Sequence, residues 1–144
     1  MPATDLSSQI VEEVKSWVGT PYRHQASVKG AGCDCLGLVR GVWRSLYKNE
    51  PALLPVYSPD WAERSQSELL KNAAEQFLYP VSKPQIASVL LFRMDAASPV
   101  KHCGILINQH EFVHAYWNRS VACSAYGRWW KSRLAGAYNF PEIE

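Results

Sequence analysis

Gly32-Cys33-Asp34-Cys35-Leu36-Gly37-Leu38-Val39 is the stretch whose reading decides the fold. From Cys35, apolar residues recur at Leu38, Val39, Val42, Trp43 and Leu46, the spacing of one helix face. Cys35 heads that stripe. Asp34 reads as the N-cap, and Gly30 and Gly32 mark the loop before it. The first turn of a helix carries unpaired N–H groups and the positive end of the dipole, and both favour a thiolate, the nucleophilic form of cysteine. The same N–H groups can hold an oxyanion. The plain alternative is a small buried residue, since free cysteine is commonly inert and internal. Gly37 and Gly41 argue for more than propensity, because each costs a helix about 1 kcal/mol against Ala. Four residues apart, they predict a smooth strip where another element, a sheet, comes close.

Composition sets the frame. A chain of 144 residues suffices for one domain, 1–144, with a real core. Its 47% apolar content and six Trp fit a folded rather than a disordered chain. A net charge of +2, with Lys and Arg spread along the chain, gives no ground for a nucleic-acid partner. Cys33, Cys35, Cys103 and Cys123 do not make a small-domain disulfide framework. Met1 to Gln9 is polar and lacks the apolar core of a secretory signal, and no run approaches the ~18 apolar residues of a membrane span. The expectation is cytoplasmic synthesis with reduced thiols and no membrane partner.

Read in order, residues 5–18 form a first helix capped by Asp5 or Ser7, with Ile10, Val11, Val14, Trp17 and Val18 on one face. Gly19-Thr20-Pro21 stops it, and Tyr22-Arg23-His24-Gln25 opens a loop to the cysteine. After the Cys35 helix, Pro51, Pro55 and Pro59 mark an irregular connection. Ser65-Gln66-Ser67-Glu68 has the form of a capping box for a helix that buries Leu69, Leu70, Ala73, Ala74, Phe77 and Leu78. Beyond residue 86 the period shortens. Strands are predicted at 89–92, 102–107, 111–117, 121–126 and 135–140. Helices followed by strands argue for an α+β fold with a mainly antiparallel sheet. Trp43 reads as core. Trp61, Trp117, Trp129 and Trp130 fall in or near loops, where they could line a groove, seat a partner or simply pack.

A cysteine nucleophile needs an imidazole, and the imidazole needs a third group to fix its tautomer. His24 precedes the cysteine and His110 falls in a hairpin turn, which leaves His102 and His114. A three-residue loop at Asn108-Gln109-His110 would pair Ile107 with Glu111 and Gly104 with His114. His102 and His114 are then diagonal neighbours on one face. A two-residue turn at Gln109-His110 would separate them. Gly104, between the two, should leave room for the Cys35 helix. Zinc is the competing chemistry, but Cys33-x-Cys35 is shorter than the usual ligand spacing, and His102 and Cys103 point to opposite faces of a strand. No metal or other cofactor is expected.

Tyr22, Asp34-Cys35-Leu36-Gly37-Leu38-Val39, His102-Cys103-Gly104-Ile105 and Val113-His114-Ala115 together resemble the NlpC family of cell-wall cysteine peptidases. The resemblance implies a papain-like fold, with the cysteine helix packed on an antiparallel sheet. It implies hydrolysis of amide bonds in peptidoglycan stem peptides, often between D-glutamate and the following diamino acid. It further implies Cys35 as nucleophile, His102 as general base, His114 as its orienting residue, Tyr22 near substrate and oxyanion, and Asp34 as a substrate-binding acid. Leu36 departs from the family's usual Ser, which weakens the expected anchor for a free stem-peptide amine. The acidic residue often found before the histidine strand is replaced around Ala87-Ser88. The run Tyr22 to Gly30 is similar to the subgroup found in prophage tail and gene transfer agent modules, which implies tail proteins as partners and delivery to the cell wall by the particle. Two rivals stand beside this reading: a thiol acyltransferase or amidase on the same scaffold, and a tail structural module with a vestigial site.

Overall fold

A computed structural model describes residues 5–49, 68–116 and 118–142. Helix α1 (Leu6–Lys15) leads into a small hairpin, β1 (Ser27–Val28) and β2 (Gly32–Cys33), and then into α2 (Cys35–Tyr47). Helix α3 (Leu69–Phe77) precedes β3 (Tyr79–Val81), β4 (Val89–Phe92), β5 (His102–Leu106), β6 (Glu111–His114) and β7 (Ala122–Ala125). A short helix α4 (Arg128–Lys131) and strand β8 (Leu134–Asn139) follow. The larger sheet runs β3-β8-β4-β5-β6-β7, and every neighbouring pair in it is antiparallel. This is the α+β arrangement expected from the sequence.

Strands β4 and β5 are buried at every position, which is why β4 reads as a continuous apolar run rather than an alternating one. Val89, Leu91, Cys103, Ile105 and Val113 join the cluster that also holds Ile10, Val14, Trp17, Leu38 and Val42 of the helical layer. Leu90, Phe92, Leu106 and Phe112 point the other way and pack with Tyr126, Ala137 and Trp130. At about 1.5–3 kcal/mol for each large apolar side chain buried, both faces of the sheet stabilise the fold.

Several expectations need correction. Helix α1 stops at Lys15, so Val18 lies in the following turn and is 50% exposed instead of lining the core. The Gly37–Gly41 strip does not face the sheet. A Cβ at Gly37 would collide with the Ala26 carbonyl oxygen, and one at Gly41 with the Trp17 ring. The strip therefore receives the chain just before β1 and the turn that follows α1. Glu68 is the N-cap residue of α3 but makes no capping bond. Its carboxylate accepts from Arg93 Nη1 at 2.8 Å and from Val100 N at 2.9 Å. The rest of the expected capping box, Ser65 to Ser67, lies outside the described residues, as do Pro51, Pro55, Pro59, Trp61 and Trp117. The sequence reading had no signal for β1, β2, β3 or α4, all of four residues or fewer.

Candidate active site

Asp34 caps α2 as expected. Its Oδ1 accepts from Gly37 N at 2.7 Å, and its Oδ2 accepts from Gln25 N at 2.7 Å. With 3% of its surface exposed, the carboxylate is committed to the backbone, and the Nδ1 of His24 stands 3.9 Å from it. One residue thus fixes both the helix start and the loop before it. The hairpin is tied to the same turn: Ser27 Oγ donates to Gly37 O at 2.6 Å, and Arg44 Nη1 donates to Ser27 Oγ at 2.9 Å. Each oxygen accepts one backbone N–H and has a second lone pair, so the capping role stands beside the substrate contact that the resemblance implies.

Cys35 is the first residue of α2, and its Sγ is directed at the Lys101 carbonyl oxygen, 4.0 Å away. That carbonyl belongs to the peptide leading into His102. The nucleophile candidate and the strand that starts with His102 therefore abut, although no thiol–imidazole hydrogen bond is formed among the described residues in this conformation. Cys103 points to the helical side, where its Sγ donates to Cys35 O at 3.3 Å. The other thiols are held protonated. Burial, with Asp34 and Cys35 adding, pushes Cys33 up to about 12. The hydrogen bond to Cys35 and burial drive Cys103 well above the usual thiol range. Partial burial and the Glu111 carboxylate raise Cys123.

The β5–β6 register is the one the three-residue loop required: Gly104 faces His114, Ile105 faces Val113 and Leu106 faces Phe112. His102 Nε2 lies 2.8 Å from His114 Nδ1. His114 Nε2 lies 2.7 Å from Ser124 Oγ on β7. Gly104 serves this pairing rather than the approach of α2, because a Cβ there would crowd Phe112, the His114 Cβ and the Val113 carbonyl. Burial disfavours the imidazolium of both rings. His102 is lowered well below its ordinary value, with His114 adding to the effect of burial, and His114 falls to about 4. Both are neutral near pH 7, so each carries a single ring proton. Trp130 packs against both imidazoles, its ring centroid 5.4 Å from that of His102 and 5.2 Å from that of His114. Tyr116 approaches His102 edge-on at 5.2 Å.

Tyr22 bridges Cys33 through the backbone, which sets its half-buried ring beside the helix start. Burial, then the nearby Cys35, Asp34 and Cys33, raise its hydroxyl well above the ordinary phenol range. It stays a neutral donor. Two neighbours of the site, Ser124 and Trp130, escaped the sequence reading. Ser124 carried no signal because the β6–β7 connection is too long to fix a register from its residues. Trp130 was visible only as part of a Trp pair of undecided use. Among the described residues, no group of three or more His, Cys, Asp or Glu side chains is arranged to hold a metal ion.

A cysteine in the first turn of a helix, packed on an antiparallel sheet that carries paired histidines, defines the papain-like class of α+β thiol hydrolases. The chain belongs to the NlpC/P60 family, whose model matches residues 19–139, and members of this family are cysteine peptidases. Over 130 residues it is 31% identical to the murein DD-endopeptidase MepS/murein LD-carboxypeptidase of Escherichia coli K12, covering 90% of this chain and 60% of that protein. Over 143 residues it is 27% identical to the gamma-DL-glutamyl hydrolase of Bacillus subtilis 168, covering 99% of this chain and 31% of that protein. The chain thus spans less than two thirds of either relative. The crystal structure of the NlpC/p60 domain of the peptidoglycan hydrolase SagA superposes with a TM-score of 0.65 at 19% identity, covering 93% of this chain and 98% of that one, and so shares the fold.

Proposed function

We propose that this chain is a single catalytic domain that hydrolyses amide bonds in peptidoglycan stem peptides, with Cys35 as nucleophile. The Cys35 thiol gives its proton to Nδ1 of His102, the ring nitrogen not engaged by His114. Sulfur adds to the peptide carbonyl carbon, and the negative charge moves to the carbonyl oxygen. The N–H groups of the first turn of α2 and the neutral Tyr22 hydroxyl stabilise that oxyanion. As the intermediate collapses, the C–N bond breaks and His102 returns the proton to the leaving amine. Water, deprotonated by His102, then attacks the thioester and releases the carboxylate product and the free thiol. His114 orients His102, and Asp34 acts by holding the nucleophile's turn.

The carrying observation is the abutment of the Cys35 turn on the strand that begins with His102, whose ring pairs with His114 on β6, in a chain of the NlpC/P60 family. The gamma-DL-glutamyl hydrolase supports a bond that follows D-glutamate, between it and the diamino acid, and the murein endopeptidase supports peptidoglycan as the substrate. The run Tyr22 to Gly30 supports the narrower proposal that the enzyme is made in the cytoplasm and carried to the wall in a phage tail or gene transfer agent particle. Mass spectrometry of peptidoglycan fragments after incubation with the protein, beside a Cys35→Ala control, tests the reading. Cleavage by the wild type alone is expected, with product masses naming the bond. Intact fragments after treatment with folded wild-type protein would overturn it.

A further inference from the structure

Ser124 lies on β7, where Phe112 faces Ser124 and His114 faces Ala122. His114 and Ser124 are therefore diagonal same-face neighbours, as His102 and His114 are across β5 and β6. The polar contacts step across three strands, at 2.8 Å and then 2.7 Å. We propose that Ser124 is a positioning residue whose hydroxyl oxygen accepts the Nε2–H of His114 and thereby leaves Nδ1 of His102 free to take the proton of the Cys35 thiol. This rests on the assignment of Cys35 and His102 as nucleophile and base.

Two neutral imidazoles 2.8 Å apart share one proton between the facing nitrogens. With the proton of His114 on Nε2, its Nδ1 is an acceptor. His102 must then donate from Nε2, and its Nδ1 keeps a lone pair. With the proton of His114 on Nδ1, every assignment reverses and the base presents an N–H to the thiol. A hydroxyl oxygen at His114 Nε2 favours the first state. The same hydroxyl donating its own proton to Nε2 would favour the second, so the tautomers decide the matter.

The test compares the full chain with Ser124→Ala and Ser124→Thr. Ser124 is half-buried on an edge strand, and threonine suits a strand while keeping the hydroxyl. Ring-nitrogen chemical shifts by 15N NMR should show the proton on Nε2 of both His102 and His114 in the wild type and in Ser124→Thr. In Ser124→Ala, the Nδ1–H form of His102 should appear and Cys35 alkylation by iodoacetamide should slow. On wall fragments its kcat should fall about tenfold or more, within the range general acid–base catalysis supplies, while KM changes less than about twofold. Ser124→Thr should restore both rates. Wild-type tautomers in Ser124→Ala, an Nδ1–H form of His102 in the wild type, or no restoration by Ser124→Thr would each overturn the proposal. If the wild type leaves wall fragments intact, the NMR and alkylation results still judge Ser124, and the failure falls on the proposed reaction instead.

Discussion

The Sγ of Cys103 donates to the carbonyl oxygen of Cys35 at 3.3 Å, while His102, one residue earlier, faces the opposite side of the sheet. Strand alternation gives adjacent residues different work. Cys103 ties β5 to the first turn of α2, and His102 begins the polar relay that runs to Ser124. The helix start is held against the strand by a contact that carries no chemistry of its own.

The thiols should separate cleanly in experiment. Cys35→Ala is expected to abolish wall-fragment cleavage, a loss of about 10³-fold or more. Cys33→Ala should keep activity within a few-fold and lose about 1–2 kcal/mol of stability, because it empties a fully buried site in the hairpin. Turnover and urea midpoints of the two variants check this. Lost activity in Cys33→Ala with activity kept in Cys35→Ala would reverse the assignment.

Gly37 and Gly41 offer a test by sign. Alanine in a helix interior ordinarily gains about 1 kcal/mol over glycine. Here the added methyl meets the Ala26 carbonyl at one position and the Trp17 ring at the other. Gly37→Ala should therefore destabilise by about 2–3 kcal/mol, since a backbone group has little freedom to yield. Gly41→Ala should cost less, because an indole can shift. Chemical denaturation of both variants measures the difference, and a gain in stability at Gly37 would contradict the close approach.

Acid should weaken the fold through the buried histidines. The folded state holds His114 at about 4, against an ordinary 6.5, so the unfolded chain binds more protons between those values. The stabilisation is complete above pH 6.5 and declines as pH falls towards 4, by up to about 3 kcal/mol for this residue. His102 is shifted in the same direction and extends the loss to lower pH. Thermal midpoints from pH 7.5 down to 4 should trace the decline, and His114→Gln should flatten it.

Asp34 is expected to behave as a structural residue. Asp34→Ala removes the α2 cap and the acceptor for Gln25 N, at a combined cost of about 2–3 kcal/mol. Asp34→Asn retains one amide oxygen and should recover part of that. Melting curves and KM for wall fragments separate the roles. A rise in KM in Asp34→Asn with little loss of stability would support the substrate contact that the resemblance implies.

The sequence by itself determined the Cys35 helix, its Asp34 cap and the α+β class, through the helical period, the capping preference and the change of period beyond residue 86. It narrowed the pairing of His102 with His114 to a choice between two turn lengths, and the β5–β6 register made that choice. Other features depended on segments far apart in the chain. The partner of the Gly37–Gly41 strip is the Ala26 carbonyl and the Trp17 ring, which no periodicity within α2 can name. The contact of Cys35 with the Lys101 carbonyl spans 66 residues. Ser124 reaches His114 only through the β6–β7 register, which a seven-residue connection leaves open in sequence and the packing of the sheet closes. Local spacing singled out the candidate residues, and long-range packing decided which of their atoms face one another.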